Sequence, residues 1–143
     1  MSVTEHLPPF TPTMAGLEQC AGALRALLEI RAVPGDARYY IELAFDEIAS
    51  NIIRHGRPTG EIDLTIQFDV GEVVLTFEDN GVAFDPCDRP HPVLPLSPEG
   101  SIPLDDVPVG GRGLALLRTF VTQMAYERTP QQRNRLSLAI PVR

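Results

Sequence analysis

The sequence contains no lysine and no tryptophan, and all 12 of its basic residues are arginine. Without lysine, the chain cannot form a Schiff base through a side-chain amine or supply the lysine of a Walker-type phosphate loop. Its 19 acidic residues leave a net charge of −7. This acidic balance argues against binding to duplex nucleic acid, which depends mainly on cationic contacts to phosphates. We therefore expect no nucleic-acid partner.

Cysteine is also scarce. Cys20 and Cys87 lie far apart with no Cys/His cluster, so the sequence predicts neither a zinc site nor a disulfide framework. No apolar run has the length of a membrane span, and residues 1–10 lack the pattern of a signal peptide. We expect a cytoplasmic protein without a membrane partner. The 143 residues, 43% of them hydrophobic, are typical of one folded domain.

Hydrophobic periodicity predicts helices and strands from residue 14 onward. Residues 1–13 hold three prolines and are interpreted as a tail or a short edge segment. The spacing predicts a first helix capped by Thr13, and a second helix from Asp36 to about Arg54 with Gly56 as its left-handed C-terminal residue. Alternating apolar and polar residues predict four strands, over residues 62–68, 73–77, 125–128 and 135–141.

Proline is concentrated in one segment, because seven of the 14 prolines lie between Asp85 and Gly110. A loop of this length inside a domain is usually functional or disordered. After it, Gly110–Gly113 opens a predicted third helix whose apolar positions extend to Met124. Glycine-rich backbone at a helix start offers free N–H groups that suit phosphate, although glycines also serve as loop hinges.

Two polar clusters interrupt the apolar pattern. Glu47 and Asn51 are four residues apart and share one face of the second helix, for which a solvated surface is the simpler explanation. The tripeptide at residues 79–81 directly follows an apolar strand and is typical of a turn. An aspartate at the buried end of that strand, Asp79, could instead accept a hydrogen bond from an amino group such as adenine N6. Gly81 would let the backbone approach a flat ring, so turn and ligand site both stay open.

The order of these clusters resembles the ATP-binding fold shared by DNA gyrase and histidine kinases. It most closely resembles the bacterial anti-sigma-factor serine/threonine kinases built on that fold, through residues 43–56, 79–86 and 110–117. The resemblance implies that residues 14–143 form a single HATPase-like ATP-binding kinase domain. The implied fold is α+β, a two-layer α/β sandwich (the Bergerat or GHKL fold). In it, a mixed, mostly antiparallel sheet has three helices on one face.

The same resemblance implies a site for ATP and Mg²⁺. Asn51 would be the metal ligand, Glu47 the catalytic general base and Asp79 the reader of adenine, with residues 88–109 as a lid over ATP. Ala83 stands where many members of the wider superfamily have a second glycine, a departure that the anti-sigma branch often shares. The implied nucleotide-binding residues are Asn51, Asp79, Gly81, Phe84, Gly111, Arg112, Gly113 and Leu114.

Two functions follow from the resemblance. The first is a homodimeric kinase that phosphorylates a small anti-sigma-factor antagonist, sequesters a sigma factor, or does both in a partner switch. The alternative is an ATP-gated regulator that binds such partners without phosphorylating them. A histidine kinase fragment is a weaker interpretation, because we expect His55 at a helix end or pocket rim rather than as a phosphoacceptor.

Overall fold

The computed structural model describes residues 2–85 and 115–142. Within these ranges, five strands form one sheet in the order β1-β2-β3-β5-β4, and every neighbouring pair is antiparallel. A short helical stretch at residues 115–117 precedes β4. The elements are β1 (Val3–His6), α1 (Met14–Ile30), α2 (Gly35–Asn51), a π-helical turn (Ile52–Gly56), β2 (Asp63–Asp69), β3 (Glu72–Asp79), β4 (Gln123–Arg128) and β5 (Asn134–Pro141).

The helix starts follow local capping chemistry. Thr13 is the N-cap of α1, as predicted, and its hydroxyl accepts a hydrogen bond from the Gly16 N–H at 3.0 Å. Helix α2 begins at Gly35, so the prediction of Asp36 as its cap was wrong. Asp36 lies in the first turn, where its carboxylate accepts a hydrogen bond from the Ala37 N–H at 2.9 Å and lies near the positive end of the helix dipole.

The end of α2 differs from the prediction. The α-helix stops at Asn51, and the chain continues as the π-helical turn. Arg57, not Gly56, is the left-handed residue, with φ 48°, and its N–H donates to the Ile52 carbonyl at 3.1 Å. The Gly56 carbonyl instead accepts a hydrogen bond from the Val82 N–H at 2.9 Å. The wide turn therefore connects the end of α2 directly to the segment that follows β3.

The hairpin of β2 and β3 confirms the predicted alternation, and its tight turn passes through Gly71, with φ 87°. The N-terminal segment pairs with β2 as edge strand β1. Met124 was wrongly predicted in the third helix, because β4 already begins at Gln123 and pairs Met124 with Leu138. The predicted helix start at residues 110–113 and the predicted lid at 88–109 lie outside the described residues.

The hydrophobic core lies between the helices and the sheet. Phe45 of α2 is at its centre, with ring centroids 6.0 Å from Phe10 and 6.1 Å from Phe77 of β3. This packing confirms the two-layer α+β architecture. The predicted sheet was mixed and mostly antiparallel, whereas all neighbouring pairs of the described strands are antiparallel. No helix within residues 2–85 and 115–142 is both long and apolar enough to span a membrane.

Candidate functional site

The last turn of α2 holds a buried amide with an unsatisfied oxygen. Asn51 is 0% exposed, and its Nδ2 donates to the Glu47 carbonyl at 2.8 Å and to Glu47 Oε1 at 3.1 Å. Asn51 Oδ1 has no hydrogen-bond partner among the described residues. A buried acceptor without a donor costs free energy, so this oxygen is suited to a ligand from outside the described chain. An amide oxygen is also a donor atom that Mg²⁺ accepts.

Glu47 lies between this amide and an open groove. Its side chain is half-buried, and the groove of about 330 Å³ beside it is lined by Met14, Ser50, Ile53 and Arg54. Met14 is 61% exposed and gives the groove an apolar edge. A carboxylate bonded on one side and open to a groove on the other can take a proton from a group that docks there.

Asp79 ends β3 and is 2% exposed. Its Oδ1 accepts two hydrogen bonds, from the Gly81 N–H at 2.8 Å and from Asn134 Nδ2 at 3.2 Å. Burial raises the pKa of the Asp79 carboxyl, and the two hydrogen bonds together with the charges of Arg133 and Arg128 oppose this rise only in part. The described residues therefore hold Asp79 as a buried acceptor in one orientation.

Position 81 requires glycine because the neighbouring atoms leave no space for a side chain. A Cβ at this position would lie 2.3 Å from the Gly56 carbonyl oxygen and 2.8 Å from Asp79 Oδ1. Asn80, between the two site residues, has a structural role, because its Oδ1 accepts hydrogen bonds from the backbone N–H groups of Thr59 and Gly60 at 3.1 and 3.0 Å. The tripeptide at residues 79–81 is thus a turn whose first and third residues also shape a buried polar site.

Phe84 connects this site to the helix end. Its ring centroid lies 5.4 Å from that of His55 in the π-helical turn, and its N–H donates to Asn134 Oδ1 at 3.4 Å. His55 is therefore a helix-end residue, in line with the sequence. Of the predicted site residues within the described ranges, the structure brings together Glu47 with Asn51, and Asp79 with Gly81 and Phe84, on either side of the π-helical turn.

Two residues that the sequence pattern does not indicate, Asn134 and Arg128, also contact this site. Asn134 is 5% exposed and bonds to Asp79, and Arg128 NH1 donates to the Gly81 carbonyl at 2.9 Å. Only the strand register reveals them, because Asn134 lies opposite Asp79 and Arg128 lies opposite Asn134. The one local signal is the position of Asn134, which is the first of the alternating buried positions of β5 and is followed at the next two by Leu136 and Leu138.

Four predicted nucleotide-binding residues lie outside the described residues: Gly111, Arg112, Gly113 and Leu114. Arg54 is exposed in the groove beside Glu47. Residues 2–85 and 115–142 contain no group of three or more His, Cys, Asp or Glu side chains that could hold a metal ion. The Asn51 oxygen still fits Mg²⁺, which usually keeps several waters and binds phosphate oxygens alongside one or two protein ligands.

Comparisons with known proteins identify the family of the chain. Residues 10–140 match the family described as "Histidine kinase-like ATPase domain". Serine/threonine-protein kinase BtrW of Bordetella bronchiseptica is 37% identical over 94 residues, which are 64% of this chain and 62% of that kinase. The chain thus matches less than two thirds of the length of this relative.

A solved structure shares the fold. The crystal structure of the SiaB-SiaC complex from Pseudomonas aeruginosa aligns over 96% of this chain and 88% of the matched chain, with a TM-score of 0.60 and 14% identity. At this identity the likeness shows the fold alone. The family match covers the helices, all strands from β2 onward and the buried polar site. The chain therefore belongs to the histidine kinase-like ATPase domain family, and this membership implies that it binds ATP.

Proposed function

We propose that the chain binds ATP with Mg²⁺ and phosphorylates a serine or threonine of a small anti-sigma-factor antagonist, sequesters a sigma factor, or does both, as a homodimer. The observation that carries the proposal is the pair of Glu47 and Asn51: a carboxylate beside an open groove is bonded to an amide whose buried oxygen lacks a partner. The 37% identity to a serine/threonine-protein kinase supports protein phosphorylation. The fold shared with a chain of the SiaB-SiaC complex is consistent with a protein partner.

In this proposal, the two halves of the site hold the two ends of ATP. Asp79 accepts a hydrogen bond from the adenine amino group. Gly81, which packs against the Gly56 carbonyl because it has no side chain, shapes the floor of the adenine pocket. Asn51 Oδ1 holds Mg²⁺, which when bound offsets the negative charge of the phosphates. Gly111, Arg112, Gly113 and Leu114 stay proposed contacts of the nucleotide.

Glu47 acts as the general base. It accepts the proton of the partner's hydroxyl as the hydroxyl oxygen bonds to the γ-phosphorus, and the bond from that phosphorus to the ADP oxygen breaks. The hydrogen bond from Asn51 Nδ2 fixes the carboxylate for this transfer. Phosphoryl transfer depends mainly on positioning and electrostatic stabilisation, so few protein groups are needed.

Glu47→Gln tests the proposal, with Asp46→Asn as the matched control because Asp46 is the adjacent exposed carboxylate of α2. The proteins are incubated with Mg²⁺, radiolabelled ATP and a purified candidate antagonist, and ATP affinity is measured by calorimetry. We expect Glu47→Gln to lower the transfer rate at least about 100-fold, as for loss of a general base. Its ATP affinity and the Asp46→Asn rate should stay near wild type.

Each result has a separate meaning. Transfer by Glu47→Gln at the wild-type rate would remove Glu47 from the role of base. ATP-dependent capture of a partner by the wild type, with no phosphate transferred, would support the alternative of a non-catalytic, ATP-gated regulator. A wild-type protein that binds no ATP would overturn both functions.

A further inference from the structure

Three side chains from three strands form a row beside the proposed adenine site. Asp79 of β3 lies opposite Asn134 of β5, and Asn134 lies opposite Arg128 of β4. Directly opposed residues in antiparallel strands project to the same face of the sheet and are close enough to interact. The row therefore extends from the buried carboxylate to an exposed arginine at the edge strand.

The partners of Asn134 determine which way its amide faces. Its Oδ1 accepts hydrogen bonds from the Tyr126 hydroxyl at 2.5 Å, from Arg128 NH1 at 3.1 Å and from the Phe84 N–H at 3.4 Å, and the last two of these groups can only donate. Its Nδ2 donates to the Val82 carbonyl at 2.8 Å, an atom that can only accept, and to Asp79 Oδ1. Donors thus surround the oxygen and acceptors surround the nitrogen, so the reversed amide would lose these bonds.

Arg128 also holds the turn at residues 79–81, which follows β3. A single nitrogen, NH1, donates both to Asn134 and to the Gly81 carbonyl, at 2.9 Å. Among the described residues, both hydrogen bonds to the Asp79 carboxylate end on Oδ1. The other oxygen, Oδ2, is therefore the one left for a base.

We propose that Asn134 and Arg128 are positioning residues that make the site selective for a base carrying an amino group. This inference rests on the proposed function, in which ATP occupies the site. The positive charge of Arg128 draws the amide oxygen of Asn134 toward itself, which turns the amide nitrogen toward Asp79. Asp79 then stays an acceptor and reads the adenine amino group. With Arg128 removed, Asn134 Oδ1 loses a charged donor and Asp79 loses a nearby positive charge. The protonated form of Asp79, a donor suited to the carbonyl oxygen of hypoxanthine, is then favoured more than in the wild type.

The electrostatic surroundings of Asp79 fit this role. Among the described residues, the charged groups that act on it are Arg128 of β4 and Arg133 in the turn before β5, while Gly56, its neighbour from the helical layer, carries no charge. Burial already raises the pKa of Asp79. Loss of a donor or of a positive charge on this row would raise that pKa further.

The test compares affinity for ATP with affinity for ITP, which carries a carbonyl in place of the amino group. Arg128→Met removes the guanidinium but keeps an unbranched side chain, Arg128→Lys restores a charge, and Arg135→Met is the matched control. Arg135 is next to Asn134 in sequence but forms ion pairs with Glu78 and Glu127. We expect Arg128→Met to lower the ratio of ATP to ITP affinity roughly tenfold, the effect of one charge-assisted hydrogen bond, and Arg128→Lys to recover part of it.

Asn134→Asp supplies a second measurement. A second carboxylate beside Asp79 raises the pKa of the pair, so Asp79 is protonated at a higher pH than in the wild type. As the pH is lowered, Asn134→Asp should therefore lose ATP binding earlier than the wild type. If wild type binds ATP but neither Arg128→Met changes the ratio nor Asn134→Asp shifts the pH profile, the positioning role is overturned. If the wild type binds no ATP, the proposed function itself fails. A change of the ratio in Arg135→Met equal to that in Arg128→Met would also overturn the positioning role, because surface charge alone would then explain the effect.

Discussion

Gly81 and Gly22 show how the same added methyl group has opposite consequences at two positions. At Gly81 a Cβ would meet the Gly56 carbonyl oxygen at 2.3 Å, and the nearby backbone is held by hydrogen bonds. Gly22 lies on the exposed face of α1, and a Cβ there would meet nothing within 4 Å. The close approach at Gly81, rather than backbone conformation, is what excludes other residues.

Gly81→Ala should therefore lower the free energy of unfolding by about 1–3 kcal/mol, as for overpacking in a core. Gly22→Ala should raise it by up to about 1 kcal/mol, because alanine has the higher helix propensity. Urea unfolding followed by circular dichroism measures both. A Gly81→Ala protein as stable as the wild type would show that the turn after β3 can move away from Gly56.

The protonation of Asp79 affects both the proposed recognition of adenine and the stability of the fold. Its pKa is raised by burial, so the folded chain binds the proton more tightly than the unfolded chain. Stability therefore falls as pH rises from the unfolded pKa, near 3.8, through the raised folded value. The ionised form that accepts from adenine is the less stable form of the buried group.

Asp79→Asn should consequently be at least as stable as the wild type at pH 7, since the amide oxygen can still accept both hydrogen bonds. The difference should shrink as the pH is lowered below 3.8. ATP affinity should fall roughly ten- to hundredfold with the loss of a charged acceptor. Urea titrations at several pH values and calorimetry measure these effects. Unchanged ATP affinity would show that Asp79 does not read the base.

At the scale of elements, helix α1 depends on one hydroxyl at its start. Thr13 caps the helix through the Gly16 N–H, and the first turn contains no acidic residue to complement the dipole. Thr13→Ala should cost about 1 kcal/mol of stability, while Thr13→Ser, which keeps the hydroxyl, should cost much less. Denaturant unfolding measures the difference. Equal losses in the two variants would indicate that the methyl group, not the cap, stabilises this end.

Elements with a strong local signal could be predicted from the sequence. The hairpin of residues 62–77 and the cap formed by Thr13 both depend on residues that are close in the sequence. A local pattern is therefore enough to predict these two features. The end of α2 could not be predicted, because the Gly56 carbonyl pairs with Val82, far along the chain. The spacing of Glu47 and Asn51 singled them out in the sequence, although a solvated helix face was the simpler interpretation. No such signal exists for Arg128, because its place beside Asn134 depends on the register of β3, β5 and β4.

At the scale of the whole molecule, charge acts against the proposed ligand. The chain carries −7 overall, and arginines at positions 25, 31, 133 and 135 form ion pairs with acidic side chains. Positive potential at the site must therefore come from local groups, such as helix starts and bound Mg²⁺. The long-range field repels a nucleotide polyanion.

Association of ATP should accordingly not be steered by the protein. We expect the association rate constant of a fluorescent ATP analogue with Mg²⁺ to stay constant or rise when the salt concentration increases from about 20 to 200 mM, because screening weakens repulsion. Stopped-flow fluorescence measures this rate. A tenfold or larger decrease in the association rate constant would instead indicate a strongly positive electrostatic potential around the site.

The π-helical turn also bears on how this sequence relates to others. A π turn closes its backbone hydrogen bonds over one residue more than an α turn, so it is equivalent to a single-residue insertion in a regular helix. A homologue that lacks the insertion would align with a one-residue gap between residues 52 and 56. In such a homologue, the glycine that faces Gly81 would be rotated out of contact by about 100°, the angle per residue of an α-helix. The number of residues from Asn51 to Gly56 can thus be compared in aligned sequences, and it indicates whether a relative keeps this arrangement of the site even where its residues differ.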